Sequence, residues 1–125
     1  MPGDSIPDGV REFVFRYIDS IVELEALLLL RRESGLAWAP AAVAERLYIS
    51  QDAASVVLGR LHARGLVAFD GAMYRYECTP SDFSAQVEAV AEVYARQLIP
   101  MTNLIHSKPS RIREFAEAFR LRKDH

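Results

Sequence analysis

Cysteine is almost missing: Cys78 is the single one among 125 residues. One thiol cannot close an intramolecular disulfide, which excludes a small cross-linked secreted scaffold and fits a reducing compartment. Long apolar runs are missing as well. The longest, Ala26 to Leu30, falls far short of the ~18–20 residues a membrane span requires, so no membrane contact is expected. Neither sign of charge dominates. Lysine plus arginine is 15 and aspartate plus glutamate is 17, a net of −2, so the chain does not coat nucleic acid by charge alone. The opening residues, MPGDSIPDG, carry acid and proline where a secretion signal needs basic residues and an apolar core. A cytoplasmic location is therefore expected. Half of the residues are hydrophobic and 26% are charged, which excludes a disordered or collagenous chain. The length fits one domain.

Motifs for chemistry are equally scarce. None of His62, His106 and His125 has another histidine, a cysteine or an acid at a clear metal-ligand spacing, so no metal is expected. There is no G-x-G-x-x-G, no phosphate-cradling glycine loop and no G-x-S-x-G. Cys78 lacks a nucleophile signature and reads as a small residue at a strand end. No cofactor and no catalysis are expected, because no acid–base constellation can be named.

What is present is a clear order of local signals. Residues 1–8 read as a disordered tail. Val10, Phe13, Val14 and Tyr17 then recur at helical spacing up to Ile18. Ser20-Ile21-Val22-Glu23 has the form of a capping box, and the helix behind it stops near Gly35. Ile21, Leu24, Leu27, Leu28 and Leu30 cover more than one face, so this helix needs cover on two sides. Leu36-Ala37-Trp38 reads as extended, and Pro40 suits the first turn of the next helix, AAVAERL. Tyr48-Ile49-Ser50 is a short connection with Ser50 as N-cap, and the helix from Gln51 to Arg64 ends at Gly65. Asp70-Gly71, between LVAF and AMYRYE, predicts a two-residue hairpin turn. Thr79-Pro80-Ser81-Asp82 opens a long helix that Pro100 is expected to kink or break. A last helix is expected from about Ser110 to Arg122.

The stretch from Ala41 to Tyr76 resembles a winged helix-turn-helix. The cues are a helix ending in Leu47, the Ile49-Ser50 turn, and a second helix closing in Arg64-Gly65-Leu66-Val67 before a wing. With the helix at 20–32 the resemblance covers roughly residues 20–77. It is most similar to bacterial transcriptional regulators of the MarR and PadR type, which add helices for dimerisation. The implied fold is mainly α, with a short β-hairpin wing and helical extensions at both ends. The implied organisation is a tail at 1–8, the winged helix-turn-helix at 9–78 and a helical extension at 79–125. The implied partner is double-stranded DNA, with the helix at 51–64 in the major groove.

On that resemblance the core positions of the helix are Ala54, Leu58 and Leu61. Asp52, Val56, Gly59, Arg60 and Ala63 point outward, with Gln51 and Ser55 on one flank. Gln51 suits adenine, Ser55 a base or phosphate, and Asp52 the amino group of cytosine. Arg46, Arg60, Arg64 and Arg75 would reach phosphates. Across residues 41–80 these four arginines face Glu45, Asp52, Asp70 and Glu77, and Asp70 stands at the wing tip. The same scaffold also serves as a protein-interaction module, so another regulatory protein is the alternative partner.

The C-terminal helix carries a heptad-like stripe: Phe83, Val87, Val90, Tyr94, Gln97, Met101 and Leu104, with Ala91, Leu98 and Ile105 beside it. Such a seam asks for a partner helix, either within the chain or in a second copy. A homodimer through Phe83, Val87, Val90, Tyr94, Leu98 and Met101 is expected. The segment 108–123 holds six basic and two acidic residues around Ile112, Phe115, Ala116 and Phe119. It is expected to dock its apolar stripe, with its arginines snorkelling around it.

Overall fold

The computed structural model describes residues 6–77 and 82–108. Within them the chain is mainly helical, with one two-stranded antiparallel sheet. The elements are α1 (Asp8–Tyr17), α2 (Ile21–Arg32), α3 (Pro40–Leu47), α4 (Gln51–Ala63), β1 (Val67–Phe69), β2 (Tyr74–Tyr76), α5 (Asp82–Arg96) and α6 (Leu98–His106). Two compact units are formed, one from residues 22–88 and one from residues up to 21 together with those from 89 onward. Among the described residues no helix is long and apolar enough to cross a membrane.

In the 22–88 unit, α2 is buried almost all round, as its leucines require: Leu24, Ala26, Leu27, Leu29 and Leu30 are all covered. Pro40 stands in the first turn of α3, where its missing N–H has no intrahelical partner to lose. Val43 and Ala44 form the buried side of α3, and Ala54, Val57, Leu58 and Leu61 that of α4. Helix α4 packs on α3 and on β1. Val57 was not among the core positions expected from the sequence. Its burial makes the inner face of α4 one residue wider. Arg31 of α2 grips Glu88 of α5 with two bonds, Nε to Oε2 at 2.9 Å and Nη2 to Oε1 at 2.5 Å.

In the other unit, α1 buries Val10, Phe13 and Val14 and packs on α6, which buries Met101, Leu104 and Ile105. Ile6, inside the stretch expected as a tail, is also buried, and α1 begins at Asp8 rather than Val10. Lys108 is 3% exposed. Its Nζ donates to the Val14 carbonyl at 3.0 Å, to the Ile18 carbonyl and to Asp19 Oδ1 at 2.7 Å. Two of these acceptors are carbonyls at the end of α1: that of Val14 also accepts the Ile18 N–H at 3.0 Å, and that of Ile18 lies just past the helix. A buried ammonium is tolerable because each oxygen satisfies one of its protons.

Two sequence expectations are corrected. The hairpin turn is Gly71-Ala72, one residue later than Asp70-Gly71. The strands pair Phe69 with Tyr74, and the Asp70 N–H donates to the Met73 carbonyl at 3.1 Å. Stacking of the Phe69 and Tyr74 rings, with centroids 4.5 Å apart, favours this register. Asp70 Oδ1 instead receives the N–H groups of Ala72 and Met73, which hold its carboxyl below the usual range. The helix break lies at Gln97, three residues before Pro100. Proline would clash with the carbonyl of Arg96, so the helix ends at Arg96 and Pro100 falls in the first turn of α6. The expected cap at Thr79-Pro80, the boundary at 78/79 and the helix at 110–122 lie outside the described residues.

Candidate nucleic-acid interface

Local chemistry aims α4. Helix α3 ends at Tyr48, which takes a left-handed conformation (φ 59°, ψ 44°) and reverses the chain. The Ile49 N–H returns to the Ala44 carbonyl at 3.0 Å. Ser50 then caps α4, its Oγ accepting the Ala53 N–H at 3.1 Å. At the far end Gly65 (φ 80°) closes the helix. The Leu66 N–H reaches the Leu61 carbonyl and the Gly65 N–H reaches that of His62, each at 3.0 Å. This is the Schellman arrangement, sealed by the buried Leu61 and Leu66. The hairpin follows directly. Trp38 adds a third extended segment, exchanging two backbone bonds with Tyr74 at 2.7 and 2.8 Å.

The N-terminal half of α4 is open. Gln51, Asp52, Ser55 and Val56 are exposed, and a methyl added at Gly59 would meet nothing within 4 Å. This face carries one amide, one hydroxyl, one carboxylate and a smooth apolar strip. Asp52 lies in the first turn of α4, where the helix dipole favours its charge. Tyr48, in the turn before α4, is 94% exposed.

The four arginines are not equivalent. Arg46 lies over the Trp38 ring, 5.3 Å from its centroid. The Trp38 Nε1 is buried without a hydrogen-bond partner among the described residues. Arg75 is half-exposed on the wing, 3.9 Å from Glu77. Arg60 and Arg64 both turn to Glu23 of α2, whose side chain is fully buried. Arg64 Nη1 donates to Oε1 at 2.7 Å and Arg60 Nη1 to Oε2 at 3.3 Å. The structure thus brings Arg60 and Arg64 together and leaves Arg46 and Arg75 apart from them in contact.

Of the residues expected at a dimer seam, Val87, Val90 and Met101 are fully buried within the single chain. Phe83 and Tyr94 are half-buried. Leu98 is exposed, as is its neighbour Ile99. The stripe does not run on as one helix, because Gln97 divides it.

Glu23 has partners that sequence reasoning missed, Arg60 and Arg64. It stands at the last position of the capping-box pattern and reads as a local cap. A signal was present: a helix covered on two sides leaves little room for a solvated acid, and a buried carboxylate needs a cation. Among the described residues no group of three or more His, Cys, Asp and Glu is placed to hold a metal. In comparisons with known proteins, no family model, curated protein or solved structure matches this chain.

Proposed function

We propose that this chain is a cytoplasmic, non-enzymatic winged helix-turn-helix regulator of transcription that binds double-stranded DNA as a homodimer. The observation that carries the reading is the order and geometry around α4. A buried helix, an extended Trp38 segment, α3, a three-residue turn, a doubly capped α4 and a hairpin follow one another, and the polar N-terminal half of α4 faces solvent. In this reading α4 enters the major groove, Gln51 and Ser55 meet base edges, and Arg46, Arg60 and Arg75 meet phosphates. The exposed Leu98-Ile99 pair supports a contact between copies.

The test is retention of genomic fragments at ~50 mM salt, where backbone attraction is strong. Gln51→Ala should relax base preference, and Arg75→Ala should weaken all sequences alike. Absence of retardation on every fragment would overturn the reading. One observation favours a second reading, a protein-interaction module for another regulator: Glu23 offsets charge on Arg60 and Arg64, and Val56 presents an apolar surface in the middle of α4. Capture of a defined regulatory partner that Val56→Asp abolishes would support it.

A further inference from the structure

Two arginines serve one buried carboxylate, and they serve it unequally. Arg64 lies 2.7 Å from Glu23 and its side chain is 23% exposed. Arg60 lies 3.3 Å away and is 52% exposed. Arg60 sits in the last turn of α4 and Arg64 caps its end, four residues on, hence on the same side of the helix. Glu23 is buried, so removing every cation from it would leave an uncompensated charge at high cost. Removing Arg60 alone does not, because Arg64 remains on Oε1.

We infer that Arg60 is a transferable cation: it leaves Glu23 for a phosphate oxyanion, while Arg64 stays and keeps the buried carboxylate paired. The ligand chemistry is the singly charged phosphodiester of a nucleic-acid backbone. A guanidinium suits it because its planar fork presents several N–H donors to phosphate oxygens. The long, half-exposed Arg60 pair has the weaker hold and the easier exit to solvent. Glu23 then sets the affinity of this face, since each bound phosphate competes with it for one guanidinium. The source of the phosphate rests on the DNA reading above; the division of labour between the two arginines does not.

The experiment follows the side-chain Nε–Hε NMR signals of Arg60 and Arg64 in the full chain. It uses two probes: a duplex of mixed sequence at ~50 mM salt, and sodium pyrophosphate. The Arg60 signal should move with either probe and that of Arg64 should stay. In parallel, Arg60→Ala should lower the salt slope of duplex binding by about 0.9 per protomer, one phosphate contact, with the melting temperature little changed. Arg64→Ala should lower the melting temperature. Glu23→Gln, which removes the competing charge and keeps an acceptor, should tighten duplex binding about twofold to fivefold, the range of a half-exposed ion pair. If both arginine signals move together, or Arg60→Ala destabilises as much as Arg64→Ala, the exchange is wrong. If no duplex binds but pyrophosphate moves Arg60 alone, the DNA reading fails and the anion site stands. If pyrophosphate moves neither, the anion site falls.

Discussion

Gly59 shows how one missing methyl shapes a surface. It sits in the middle of α4, where glycine costs about 1 kcal/mol relative to alanine. A Cβ there meets open space, so no packing in the chain requires its absence. Gly59→Ala should therefore raise stability by about 1 kcal/mol, read from urea unfolding. If this face lies against a partner's backbone, the same variant should weaken that binding while melting higher. A loss of stability would show that the helix bends at Gly59. Tyr48 makes the opposite case. A bulky side chain held left-handed and almost wholly exposed gains no burial in return. Its conformation is imposed by the turn that must join α3 to a capped α4 within three residues.

At the scale of elements, two ion pairs tie segments far apart in sequence. Lys108 closes the end of α1 from the end of α6 with two carbonyls and Asp19. Lys108→Met keeps most of the aliphatic stem and removes every one of these bonds. It should cost ~1.5–3 kcal/mol, the worth of hydrogen bonds to a charged group, measured by thermal or urea unfolding. A neutral result would mean that water replaces the ammonium. The Arg31–Glu88 fork joins α2 to α5 and gives a pH signature. The side-chain bonds from Arg31 hold the Glu88 carboxyl below its usual 4.5, and Arg31 is raised in turn by the same bonds. A carboxyl lowered on folding adds stability that is complete above pH 4.5 and fades as pH falls through its folded value. The melting temperature of Glu88→Gln should accordingly fall less steeply below pH 4.5 than that of the wild type. Parallel acid limbs for the two proteins would show that the pair does not form in solution.

The whole molecule raises the question of copies. The heptad-like stripe splits into residues buried within the chain and residues left outside. Val90→Glu should unfold the protein, because it drives a charge into a position with no exposure. Leu98→Glu with Ile99→Glu changes only exposed side chains and should leave the melting temperature nearly unchanged. If the proposed homodimer uses this surface, light scattering should report a dimer for the wild type and a monomer for the double variant. A wild type that stays monomeric at ~100 μM would rule out a homodimer of ordinary affinity.

What could be read along the chain was local in cause. Pro40, Ser50 and Gly65 mark helix ends because each acts on backbone groups within about four residues of itself. The leucines of α2 demanded cover on two sides because an apolar helix surface must leave water, whatever covers it. The partners of charged side chains were decided elsewhere. Arg60 and Arg64 find Glu23 across 37 and 41 residues, and Lys108 finds Val14 across 94. No spacing rule reaches that far, and an arginine on an outward helix face reads the same whether it meets a phosphate or a buried glutamate. The hairpin register also lay beyond local cues: Asp-Gly permits a turn in either frame, and ring stacking of Phe69 on Tyr74, with Trp38 on the far edge, selects one. The sequence alone thus determined that α2, α3 and α4 form and where α3 and α4 begin and end, through forces that act within a turn or two. Only the tertiary structure decided which charges remain available to a partner, because desolvation and pairing depend on what the fold brings alongside.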